Sequence, residues 1–87
     1  MEMIISTFRA ADTPELVEAV ATGDGTYAAL IDPEPSLDSH LRVAEAVMLK
    51  LGYRRCDYVL LAGTARTERH WRFTFAAPDE FTKPTTR

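Results

Sequence analysis

Three side chains in this sequence have the chemistry of a nucleophile or a base: Cys56, His40 and His70. A cysteine–histidine pair works only in hydrogen-bond contact, with a third group orienting the imidazole. His40 falls near the start of a helical pattern and His70 near the start of a strand pattern, so nothing in the spacing brings either to Cys56. Cys56 reads as a small buried thiol at a strand end. Zinc needs three or four ligands, usually in close pairs, and one cysteine with two distant histidines supplies no pair. Ser36-Leu37-Asp38-Ser39-His40 contains the letters of a triad, but capping and solvation explain consecutive polar residues at a helix start. Gly23-Asp24-Gly25 sets a carboxylate where a phosphate loop would receive its phosphate. The sequence therefore predicts a protein that is not an enzyme and uses no metal or cofactor.

Charge is the feature that remains. Residues 10–41 carry seven carboxylates and no lysine or arginine. Residues 1–45 hold nine acids and two bases, and residues 46–87 hold four acids and eight bases, within a net charge of −3. Mixed signs are the usual surface arrangement, so a one-signed stretch of this length exceeds what solubility asks. Carboxylates spaced along such a surface can imitate a row of phosphates and enter a cationic groove. Glu15, Glu18, Asp24, Asp32, Glu34 and Asp38 are the candidate partner-binding residues. The alternative is a small nucleic-acid-binding or accessory domain that uses Arg54, Arg55, Arg66, Arg69 and Arg72. Net negative charge and the phase of Trp71 with Phe73 and Phe75 weigh against direct nucleic-acid binding.

The elements that position these groups follow from local patterning. Residues 3–9 are rich in β-branched and aromatic side chains and predict a strand. Thr13-Pro14-Glu15 is a good helix start, with Leu16, Val17 and Val20 facing the core and Gly23 as the stop. A rival reading pairs residues 16–22 with residues 26–31 as a hairpin across Gly23-Asp24-Gly25, which leaves helix or strand open over residues 14–22; the helix is the favoured one. Leu37, Leu41, Ala44, Met48 and Leu51 form a helical stripe, capped by Ser36 and ended by Gly52. Leu49 falls on its polar side as a solitary apolar residue. Residues 58–62 are an unbroken apolar run, as expected of a strand covered on both faces. A connection over residues 63–69 leads to a half-buried strand with Trp71, Phe73 and Phe75 inward. The expected fold is α+β, in β-α-β-α-β-β order, with helices on one face of a mainly antiparallel sheet.

Eighty-seven residues make one small domain, assigned to residues 1–77, with residues 78–87 as a loosely held tail. No apolar run approaches the roughly 18 residues of a membrane span. Met1-Glu2-Met3-Ile4-Ile5 lacks the features of a secretory signal, and a lone cysteine forms no internal disulfide, so a cytoplasmic location is expected. Were the last strand an open edge, two copies could pair through it as a homodimer.

Ala44-Glu45-Ala46-Val47-Met48-Leu49-Lys50-Leu51-Gly52, followed by Tyr58-Val59-Leu60-Leu61-Ala62-Gly63, is similar to the helix-then-strand arrangement of a small phage-encoded anti-CRISPR protein directed at type I complexes. The overlap spans about a quarter of the chain, and the family shares no catalytic motif, so no residue role carries over. The resemblance implies a non-enzymatic inhibitor in the cytoplasm of an infected bacterial host. Its partner would be a type I CRISPR effector, whose basic nucleic-acid groove receives the acidic face. The basic C-terminal half departs from a simple whole-surface DNA mimic.

Overall fold

The structure is a computed structural model and describes residues 2–77. The expected tail at residues 78–87 lies outside the described residues. The elements are β1 (Glu2–Arg9), β2 (Leu16–Ala21), β3 (Tyr27–Ile31), α1 (Leu37–Lys50), a 3-10 turn (Arg55–Asp57), β4 (Val59–Thr67) and β5 (His70–Ala76). All neighbouring strands run antiparallel, in the order β3-β2-β1-β5-β4. The fold is α+β, with one α-helix among the described residues, on one face of the sheet.

The expected helix over residues 14–22 is instead the rival strand. Val17, Ala19 and Ala21 are buried while Leu16, Glu18 and Val20 are not, a period of two that matches a strand covered on one face. Gly23 and Gly25 take φ of 88° and 85°, which closes β2 onto β3 at no steric cost. The Pro14-Glu15 start signal is local, and pairing with strands on both sides outweighs it. The order is therefore β-β-β-α-β-β.

The helix lies where its caps place it, with Ser36 at its N-cap. The Ser36 N–H donates to Ser39 Oγ at 3.0 Å, and the Ser39 hydroxyl donates in turn to Asp32. At the other end Gly52 takes φ 104°, while the Gly52 N–H donates to the Leu49 carbonyl at 3.0 Å and the Tyr53 N–H to the Met48 carbonyl at 3.2 Å. This paired closure satisfies carbonyls that a helix end otherwise strands. The buried stripe is His40, Val43, Ala44, Val47 and Met48, while Leu37 is exposed. The stripe keeps Ala44 and Met48 fully buried and Leu41 and Leu51 packed against the core, adds Val43 and Val47, and leaves out Leu37. Leu49 is exposed, as its polar-side position implies.

α1 packs on β1, β2 and β3 and barely reaches β5. Ile5, Val17, Val43, Val47, Met48, Phe73 and Phe75 form the core beneath it. Trp71 stacks on Phe73 with ring centroids 6.0 Å apart, and Tyr58 meets Phe75 edge-on at 5.4 Å. Trp71, Phe73 and Phe75 all face the helix side, as their alternation implies.

Two expectations fail at the far side of the sheet. Residues 58–62 do not form a strand covered on both faces: β4 runs from Val59 to Thr67 at the sheet edge, and every one of its residues is exposed. An apolar run reports low polarity and says nothing of where its strand falls in the sheet. The last strand is not an edge either, since β5 sits between β1 and β4.

Candidate functional site

The sequence-level separation of charge becomes a separation across the sheet. The acidic candidates lie on or beside β2, β3 and the start of α1, and the arginines flank β4 and β5. The acids do not all share one place, however.

Glu15, Asp32, Glu34 and Asp38 converge at one end of the β2–β3 hairpin. The Asp32 N–H donates to the Glu15 carbonyl at 2.9 Å, which sets the two backbones side by side. The Glu34 N–H donates to the Asp32 carboxylate at 3.0 Å, and the Arg42 guanidinium approaches it at 3.4 Å. The Ser39 hydroxyl, followed by that Glu34 N–H, holds the Asp32 carboxyl below its ordinary range. Asp38 meets the same Arg42 at 3.1 Å, in the acid-first i,i+4 order. Asp32 and Asp38 thus share Arg42, while Glu15 and Glu34 are brought to the same margin by their backbones. Glu15, Glu34 and Asp38 are exposed.

Glu18 and Asp24 lie elsewhere. Glu18 projects from the sheet face opposite the helix and accepts from the Tyr27 hydroxyl at 2.9 Å, a bond that raises the phenol's pKa. Asp24 occupies the hairpin turn, where its carboxylate accepts from the Thr26 N–H at 3.1 Å and from the Thr26 hydroxyl. A hairpin of this length holds that turn about 17–20 Å from the Glu15–Asp32 end, at roughly 3.3 Å per residue. Asp24 therefore reads as a turn residue.

The arginines divide as well. Arg54 pairs with Asp57 at 3.2 Å and Arg55 with Glu45 at 3.6 Å, so both are tied near the start of β4. Arg66, Arg69 and Arg72 belong to the β4–β5 hairpin, are exposed, and form no ion pair among the described residues.

Between the helix start and this hairpin lies a cleft of about 380 Å³, lined by Arg9, Ser36, Leu37, His40, Glu68 and Trp71 among others. Nothing in the sequence marked it, because its walls come from β1, α1 and the β4–β5 turn. His40 is only 2 % exposed, and its Nδ1 lies 2.6 Å from Thr7 Oγ1. Burial first, then the positive charge of Arg9, push the His40 pKa down, which keeps the ring neutral. Thr7 is fully buried, so its hydroxyl cannot reach a substrate, and the pair reads as a satisfied hydrogen bond beneath the helix.

Cys56 is exposed in the 3-10 turn rather than buried at a strand end, and its Sγ lies 3.9 Å from Asp57 Oδ1. No histidine is among its contacts. Among the described residues no three histidine, cysteine, aspartate or glutamate side chains gather as a metal site would require. Among the described residues no helix is long and apolar enough to cross a membrane. No family model, curated protein or solved structure matches this chain.

Proposed function

We propose that this chain is a binding protein without catalytic activity, whose acidic margin docks on a cationic groove of a nucleic-acid-handling protein. In its specific form the reading is a phage-encoded anti-CRISPR protein that blocks a type I CRISPR effector in the cytoplasm of an infected bacterium. The observation that supports it is the placement of Glu15, Asp32, Glu34 and Asp38 along one margin, where Arg42 pairs with Asp32 and Asp38. Hydrogen bonds fix Asp32 in place, and a preset array of charge loses less on docking than a mobile one. One exposed charge pair contributes only about 0–1 kcal/mol, so several must act together. Asp24 and Glu18 lie outside this margin.

Reversal of three exposed acids, Glu15→Lys, Glu34→Lys and Asp38→Lys, tests the reading against a purified type I effector by biolayer interferometry. Association should vanish while circular dichroism stays that of the parent. Full binding by the triple variant at physiological salt would sink the proposal.

A second reading rests on Arg66, Arg69 and Arg72, which stand free of ion pairs among the described residues at one hairpin. Retention on single-stranded DNA or RNA, with affinity falling steeply as salt rises, would favour it over the first.

A further inference from the structure

The cleft between the start of α1 and the β4–β5 hairpin joins two kinds of wall. Pro35, Leu37 and Trp71 give it apolar sides, with Leu37 51 % exposed and Trp71 half-buried. Arg9 and His40 bring nitrogen to it. The Arg9 Nε donates to the Pro14 carbonyl at 3.1 Å, which fixes the guanidinium, and Arg9 forms no ion pair among the described residues. Its terminal nitrogens therefore keep their donors. His40 is held from the other side. Thr7 Oγ1 engages its Nδ1, and its Nε2 has no hydrogen-bond partner among the described residues. The fully enclosed side-chain atoms that lack a partner among those residues are Tyr58 Oη and His70 Nε2, so His40 Nε2 is not sealed in. The open space that His40 lines is this cleft. A ring only 2 % exposed thus turns its one free nitrogen toward it.

We propose that this cleft binds a small organic carboxylate with a flat apolar body. The carboxylate sits between the Arg9 guanidinium and His40 Nε2, and the body lies against Trp71 and Leu37. Trp71, itself backed by Phe73, offers the ring surface that suits a flat body. An anion selects the neutral tautomer in which the Thr7 hydroxyl donates to Nδ1 and Nε2 carries the proton. The start of α1 lines the same wall, where the helix dipole favours negative charge. Opposing charge comes from Glu34, Asp38 and Glu68. Glu34 and Glu68 are exposed and screened by solvent, and Asp38 is engaged by Arg42 at 3.1 Å. At about 380 Å³ the cleft is at the small end of ligand pockets, which suits a single-ring molecule. It shares no residue with the acidic margin, so the two proposals stand or fall separately.

Trp71 is the one tryptophan of the chain, so its fluorescence reads occupancy of the cleft. Benzoate should change that emission saturably, with a dissociation constant of about 1 mM. Benzamide has the shape without the charge, and acetate the charge without the ring. Each should bind about tenfold more weakly than benzoate. Arg9→Gln should weaken benzoate about tenfold. Leu37→Asp, at an exposed position where the circular dichroism spectrum should not change, should weaken it as much through repulsion and lost contact. Lys50→Gln removes a positive charge at the far end of α1 and should change nothing. Glu68→Gln should tighten benzoate about twofold, because a like charge leaves the rim. No saturable change up to about 20 mM benzoate overturns the proposal. So does equal affinity for benzamide, or full affinity in Leu37→Asp. Weaker binding by Glu68→Gln also overturns it, since that carboxylate would then be holding a cation.

Discussion

The two sides of the sheet are built from similar strands and held by different means. On one side β1 and β2 lie under α1; β2 alternates strictly, with Val17, Ala19 and Ala21 buried, and β1 buries Ile5 and Thr7. On the other, β4 hangs from β5 with no residue buried and is anchored mainly through backbone pairing. One contact does reach across: the ring of Phe73 lies so near Gly63 that an added Cβ would come within 3.0 Å of it. A side chain there would force that buried ring to move, so β4 carries glycine where the core touches it. The lesson is that burial in this molecule follows the helix, and strand identity follows it only as far as β5. Charge divides along the same line, acids beside the covered strands and unpaired arginines beside the bare one.

The sharpest way to break this contrast is to remove similar bulk from each side. Met48→Ala, at a fully buried position of α1, should cost about 2–5 kcal/mol in urea denaturation. Leu61→Ala, at a position 52 % exposed, should change stability by about 0.5 kcal/mol or less. Equal losses would mean that β4 is covered after all.

A second test concerns the Thr7–His40 hydrogen bond under the helix. Thr7→Val keeps the shape but strands a buried imidazole nitrogen, at a cost of about 1–3 kcal/mol. The pH dependence has a definite sign. Burial holds the folded His40 pKa below its ordinary 6.5, so below that pH the unfolded chain takes up a proton that the folded chain refuses. Stability should therefore fall as pH drops from about 6.5 toward the folded value and level off beneath it, until the depressed carboxyl of Asp32 adds a further loss below its own ordinary 3.8. Chemical denaturation from pH 7.5 to 5 reads the first window, and His40→Gln should flatten it. A curve unchanged by that substitution would mean that another group titrates there.

The smallest effect belongs to Arg42. Arg42→Ala removes two exposed ion pairs and should cost under about 1 kcal/mol. It also leaves the acidic margin more negative, so docking on a cationic groove should strengthen while melting barely moves.

Much of the covered side was legible in the sequence. Ser36 and Gly52 bracket α1 because capping is chemistry of neighbours, and Trp71, Phe73 and Phe75 alternate because a half-covered strand demands it. The misread parts depend on distant partners. Residues 14–22 carry a sound local helix start, yet Val17 pairs with both Arg9 and Leu30, and those ladders decide. The run from Tyr58 to Ala62 looked interior because apolarity does not encode sheet order. The acidic candidates could be named, but only the turn at Asp24 and the relay through Ser39 show which of them share a margin. The cleft beside His40 had no sequence signal, since its walls come from three separated segments.

The sheet joins β1 to β5, so Ile5 lies beside Phe73 across nearly the whole length of the chain. Closing so wide a loop is entropically slow, whereas the β2–β3 hairpin and α1 can form from near neighbours. On the ribosome the first strands and the helix would therefore wait, half assembled, with the outer side of β1 unmatched until residue 76 clears the exit tunnel. A chain cut before residue 70 would leave that side of β1 with no ladder partner among the described strands.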